Sequence, residues 1–233
     1  MSRLAIVTGA STGIGAATAS RLADRGDQVI SIARRRCPDE RIESLQLDLM
    51  TPLDNANTAH LVQACQQHDS VALVHCAGWL TGDSAHEVSH DNLQRAFQVN
   101  VAAPALLNAA LMAHLPAGSA IVFVSSTLGD KAVPGALSYA TSKHAVNGLM
   151  RATCQDLAGR DIHAACVSPG FTDTDMLRAH VGHDEAVLES IAAGVTFSRL
   201  ISADEIAATI EFCIDHPVIN GAVIHANLGQ IER

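Results

Sequence analysis

Short, almost unbroken apolar runs at residues 4–8, 28–33, 71–75, 120–125 and 162–167 alternate along this chain with stretches of helical character. A strand wet on one face would alternate apolar with polar residues. Runs that stay apolar therefore call for a sheet covered on both faces, which in practice means parallel strands joined by helices. Helices are expected at 13–25, 53–67, 91–115, 138–158 and 203–214, with further strands at 44–47 and 222–226. The pattern predicts an α/β chain: a doubly wound parallel sheet with helices on both faces, as a single domain over 1–233. Sheets of this kind bind ligands beyond the carboxyl ends of their strands. The residues just after each strand are therefore the ones to read for chemistry.

Composition narrows the partners. The 233 residues are 48% apolar and 17% charged, enough for a sizeable core and unlike a disordered chain. Lys and Arg total 15 against 24 Asp and Glu, a formal charge of −9. Without a basic surface, neither nucleic acid nor an anionic membrane is an expected partner. Residues 96–129 carry no charged side chain, but Pro104, Asn108, His114, Pro116, Gly118 and Ser119 interrupt them. A buried helix followed by a buried strand fits better than a membrane span. Six cysteines lie far apart without a CxxC pair, the usage of reduced thiols in a soluble, cytoplasmic protein. His86 with His90, and His180 and His183 with Asp184-Glu185, have ligand-like spacing, but they read as solvated loop residues and no metal is expected.

The first apolar run ends in Thr8-Gly9-Ala10-Ser11-Thr12-Gly13-Ile14-Gly15 and passes into a helix. Gly9 allows a tight turn, while Gly13 and Gly15 let the backbone approach a pyrophosphate at the helix N-terminus. Placed between strand and helix, it reads as the dinucleotide-binding turn of a Rossmann-like sheet, or as a Gly-rich turn that merely starts a helix. The second run ends in Ala33 followed by Arg34-Arg35-Arg36. A small neutral residue before guanidinium groups suits a 2′-phosphate, so NADP(H) is favoured and NAD(H) stays open. Asp48, after the third strand, is placed to accept from an adenine amino group, or is simply a turn residue.

Tyr139 and Lys143 stand four apart where a helix opens after the strand at 120–125. Four residues apart they share one helical face, so the ammonium can lie near the phenol and is expected to lower its pKa. Tyr139 is the only tyrosine in the chain. Ser126, thirteen residues before it, can hold a reacting oxygen against the phenol, with Ser125 structural beside it. Asn100, in the helix before that strand, can hold a water that reaches Lys143, or can simply be solvated or bonded to backbone.

Together these spacings resemble the short-chain dehydrogenase/reductase family in its simple single-domain form, over essentially the whole chain. The family's Asn–Ser–Tyr–Lys set matches Asn100, Ser126, Tyr139 and Lys143, and its Gly motif matches residues 8–15. The aspartate after its third strand matches Asp48, and its Pro-Gly with a later threonine matches Pro169, Gly170 and Thr174. The resemblance implies cofactor contacts at Gly9, Ser11, Thr12, Gly13, Ile14, Gly15, Arg34, Arg35, Asp48, Leu49, Ala77, Gly78, Tyr139, Lys143, Pro169, Gly170, Thr172 and Thr174. In the family Thr174's counterpart bonds the nicotinamide amide. The implied chemistry is hydride transfer between a nicotinamide and a small carbonyl or secondary alcohol. Ser126 would position the oxygen, Tyr139 would exchange the proton, and Lys143 would bind the ribose and pass protons through Asn100 and water.

Two stretches depart from the family. His75-Cys76-Ala77-Gly78 replaces Asn-Asn-Ala-Gly, and Ala226-Asn227-Leu228-Gly229 replaces Val-Asp-Gly-Gly. Trp79, Leu80, Leu128, Val133, Phe171, Met176 and Leu177 imply a mainly apolar substrate site under a short lid at about 175–200. A carrier-protein-linked 3-ketoacyl reductase is an alternative, but residues 111–117 offer no Lys or Arg to an acidic carrier. A catalytically silent NADP(H)-binding regulator is another, although such proteins typically lose the Tyr/Lys pair. The uncharged helix at 96–115 and the helix at 138–158 are too apolar for a lone monomer surface and suggest pairing with copies of themselves, as a homodimer or homotetramer.

Overall fold

The computed structural model describes residues 2–231. In chain order the elements are β1 (Arg3–Thr8), α1 (Gly13–Asp24), β2 (Gln28–Ala33), β3 (Glu43–Gln46), α2 (Asn55–Gln66), β4 (Ser70–His75), α3 (His90–Phe97) and α4 (Ala103–Leu111). They continue with β5 (Ala120–Val124), α5 (Leu137–Asp156), β6 (His163–Pro169), α6 (Asp175–His180), α7 (Glu185–Ala192), α8 (Ala203–Asp215) and β7 (Val223–Ala226). The seven strands form one sheet in the order β3-β2-β1-β4-β5-β6-β7, and every neighbouring pair is parallel. The order reverses between β1 and β4, the switch point where such sheets open a crevice.

Alternation of side chains along each strand divides the core in two. Leu4, Ile6, Ile30, Ile32, Leu73, Ile121 and Phe123 pack on one face under α2, α4 and α5, which add Leu61, Leu107, Leu111, Val146 and Met150. Ala5, Val7, Val29, Val74, Val122 and Val167 pack on the other under α1 and α8, which add Leu22, Ile206 and Ile210. With so few aromatics, the small and branched residues on the second face let these helices sit close. Arg25 clamps α1 to α8, reaching Glu211 at 2.8 Å and Asp215 at 2.7 Å.

The long helical stretch His90–His114 is apolar enough to cross a membrane by length and composition. One side of it, with Ala103, Leu107 and Leu111, packs into the core, and 39% of that apolar window is buried. It is not one α-helix. Residues Gln98–Ala102 form a π turn between α3 and α4, an insertion that re-aims side chains and recurs at functional sites. Asn100 sits within it, 2% exposed.

Candidate active site

A cleft of about 590 Å³ opens beyond the carboxyl ends of β1, β2, β4, β5 and β6. Along it lie Gly9, Ser11, Thr12, Gly13, Ile14, Gly15, Arg34, Arg35, Asp48, Leu49, Ala77, Gly78, Ser126, Tyr139, Lys143, Pro169, Gly170, Thr172 and Thr174. Of the sequence-derived set only Asn100 stands behind the wall.

At one end the first turn of α1 faces the cleft. Its N-cap, Thr12, makes no side-chain cap bond and no acidic residue follows in the first turn. The leading N–H groups are therefore free for an anion, with the positive end of the helix dipole behind them. The glycines allow the approach. A Cβ at Gly9 would stand 2.7 Å from Ala77 Cα, and one at Gly15 would stand 2.4 Å from the Gly9 carbonyl oxygen. Arg34 and Arg35 are exposed where β2 ends. Among the described residues the arginines in salt bridges are Arg3, Arg21, Arg25, Arg41, Arg178 and Arg199, so both guanidinium groups remain available. Asp48 Oδ1 accepts from the Met50 N–H at 3.0 Å, closing a turn at the cleft edge. These donors and the open backbone cradle fit a nicotinamide dinucleotide.

Toward the other end stand Ser126, Tyr139 and Lys143. Lys143 is 4% exposed; its Nζ donates to the Val124 carbonyl at 2.9 Å and lies 5.5 Å from the Tyr139 ring centre. Burial lowers the lysine to about 8, offset in part by the Cys166 and Cys76 thiols. The phenol does not follow the expectation of a lowered pKa. Burial pushes Tyr139 up to about 12, and the Ser126 hydroxyl, which favours the phenolate, offsets this only partly. Ser126 Oγ also accepts from the Leu128 N–H at 3.1 Å, which fixes the start of the next turn. Ser125 Oγ donates to the Lys143 carbonyl at 3.2 Å, the structural part expected of it.

Asn100 is a strut rather than a free water holder. Its Oδ1 accepts from the Trp79 N–H at 2.7 Å, and its Nδ2 donates to the Trp79 carbonyl at 3.1 Å and to Ser142 Oγ at 2.8 Å. It thereby ties the segment after β4 to α5. Thr174 caps α6, its Oγ1 accepting from the Leu177 N–H at 3.3 Å, and its methyl group faces Gly13. Cys76 is held as a neutral thiol, pushed up to about 12 by burial.

Trp79, Leu80, Leu128, Val133, Phe171, Met176 and Leu177 all line the cleft. So do Arg95, whose guanidinium lies 5.6 Å from the centre of the Trp79 ring, His180 and Gln230. Sequence reasoning did not place Arg95 or Gln230 in the site, and it reached His180 only as part of the lid at about 175–200. They follow no strand directly, and their helical or tail positions carry no motif.

The family model for short chain dehydrogenase matches residues 3–185. The chain belongs to that family. As a short-chain dehydrogenase it is an oxidoreductase with a Rossmann-like fold. It is similar to Protein FixR of Bradyrhizobium diazoefficiens, 35% identical across 98% of this chain and 86% of that one. It is also similar to 2,3-dihydro-2,3-dihydroxybenzoate dehydrogenase of Escherichia coli, 32% identical across 88% of this chain and 87% of that one. Among solved structures, a short chain dehydrogenase from Burkholderia cenocepacia in complex with NADP is 29% identical with a TM-score of 0.82. That match covers 97% of this chain and 96% of that one.

Proposed function

We propose that this short-chain dehydrogenase is an NADPH-dependent reductase of small, mainly apolar ketones or aldehydes, with Tyr139 as the proton donor. The observation that carries this reading is a single cleft joining the uncapped α1 terminus, the free Arg34 and Arg35, and the Ser126–Tyr139–Lys143 group. The NADP-bound Burkholderia relative supports the cofactor class.

When bound, the nicotinamide supplies the hydride. The chain's own residues do the rest. The N–H groups of Gly13, Ile14 and Gly15 would hold its pyrophosphate, and Arg34 and Arg35 would hold a 2′-phosphate. Ser126 Oγ donates to the carbonyl oxygen and fixes it beside the phenol. Tyr139 then gives that oxygen a proton. A phenol held near 12 is protonated at neutral pH and has a proton to hand to the carbonyl oxygen. Lys143, an ammonium below about 8, would orient the ribose and return a proton to the phenolate left on Tyr139, while Asn100 keeps the wall and α5 in register. The apolar walls exclude water, and residues 175–200, with Met176, Leu177 and His180 at the cleft, act as a short lid. The six free cysteines accord with a reducing, cytoplasmic setting.

The test combines binding and turnover. Quenching of the single tryptophan, Trp79, measures NADPH and NADH affinity, and NADPH consumption is followed against a carbonyl panel. Tyr139→Phe should keep NADPH affinity and lose on the order of 10²–10⁴-fold in kcat. Tight NADPH binding with no turnover on any carbonyl would instead favour a cofactor-sensing role. Preference for NADH would overturn the role given to Arg34 and Arg35.

A further inference from the structure

Helix α5 carries the proton donor, yet it does not cap itself. Ala136 occupies the N-cap and has no side chain that can accept a hydrogen bond. The first amides of a helix need acceptors from somewhere. Here they come from Asp83, in the segment after β4. The Asp83 carbonyl accepts from the Leu137 N–H at 3.0 Å, and Oδ1 accepts from the Ser138 N–H at 2.9 Å. Asp83 Oδ2 accepts from the Ser138 hydroxyl as well. In return the Asp83 N–H donates to the Gly135 carbonyl at 3.1 Å, so one residue is stitched to the turn on four bonds.

Asp83 is 5% exposed and Ser138 is fully buried. A buried carboxylate is costly unless its oxygens are bonded. Here the compensation comes from the donors and positive end of α5. The next residue along the helix is Tyr139. Asp83 does not line the cleft, whereas residues 79 and 80, just before it in the chain, do.

We propose that Asp83 is a positioning residue, which locks the first turn of α5 and holds the Tyr139 phenol at a fixed place against the cleft wall. This rests on the reading of Tyr139 as the proton donor. A loosened first turn leaves the phenol present but displaced, and displacement of about 1 Å can cost on the order of 10²-fold in rate.

The experiment uses the fact that the chain has one tyrosine. Tyrosine labelled with ¹³C in the ring gives a single NMR signal, which reports the setting of Tyr139 without turnover. In Asp83→Ala that signal should move toward the position of free tyrosine in protein that still binds NADPH, and kcat should fall by about 10–100-fold at unchanged NADPH affinity. Asp83→Asn can still accept from the Ser138 N–H and should restore most of both. A purely structural Asp83 would lower the melting temperature and leave both the signal and kcat per NADPH-binding site as in the wild type; that result overturns the proposal. If Asp83→Ala does not fold, Ser138→Ala decides. A signal shifted part-way with reduced kcat supports the role, and a wild-type signal and kcat reject it. Should the wild type reduce no carbonyl at all, the reductase reading fails alone, and the tyrosine signal still decides the role of Asp83.

Discussion

At the scale of single residues, His75 shows what this fold does to a titratable group in its core. It replaces the family's first asparagine after β4 and is 3% exposed, with Nε2 2.8 Å from Asn108 Oδ1 and its ring 5.0 Å from Phe123. Burial lowers it to about 4, and the Asn108 bond offsets this only in part. In the unfolded chain the same group titrates near 6.5. The folded state thus binds fewer protons between those values, and stability is lost as pH falls from 6.5 toward 4. The full swing is about 3 kcal/mol. Urea unfolding at pH 7 and pH 5 should show it, and His75→Gln, which cannot charge, should be flatter over that interval. An unchanged slope in the variant would mean that other groups carry the acid sensitivity. Much of the site was legible at this scale. Tyr139, Lys143, Ser126 and the glycines were placed by spacing alone, because each must follow a strand or share a helical face. The pKa values were not legible. The sign at Tyr139 is set by burial of the phenol, which depends on how elements distant in the chain pack around it.

Among the elements, the junction of β1 with α1 is the tightest. Gly15 lies in the first turn of α1 directly over the Gly9 carbonyl, and the collision of an added Cβ would be with backbone. Gly13 is different: φ is +55°, and an added Cβ would meet the Thr174 methyl at 3.2 Å, an atom that can move aside. Gly15→Ala should therefore open the turn, cost about 1–3 kcal/mol of stability and abolish NADPH quenching of Trp79. Gly13→Ala should cost about 1–2 kcal/mol, as expected for the left-handed backbone alone, and weaken binding less. Thermal unfolding and Trp79 titration of the two variants check the order, and equal losses would contradict it. The strands and most helices were readable to within a residue or two, since apolar runs and helical stretches alternate. The π turn at Gln98–Ala102 was not, because an extra residue in a turn leaves no mark in an uncharged sequence. The start of α5 left a weak clue. A helix opening Gly135-Ala136-Leu137-Ser138 has no capping residue of its own, and that lack points to a cap supplied from elsewhere.

For the whole molecule, the outer face of two neighbouring helices carries the prediction of assembly. Helices α4 and α5 cover the same side of the sheet, and their outer surfaces lack charge over most of their length. Leu106 on α4 is 51% exposed, and Thr141, His144 and Gly148 form an exposed, low-relief strip on α5. No Cβ at Gly148 would touch anything within 4 Å in the monomer. A chain of net charge −9 that leaves its least charged helices outermost is suited to covering them with a second copy related by a two-fold axis. A stable pair needs about 1,600 Å² buried in total, and two adjacent helices can provide that. The chain should therefore run in light scattering as a multiple of 24.4 kDa, as a homodimer or homotetramer. Leu106→Glu sets two like charges near the axis and should move the mass toward the monomer, while NADPH binding, formed within one chain, persists. A wild type that is monomeric at micromolar concentration, or a Leu106→Glu variant of unchanged mass, would show that the copies do not meet through α4.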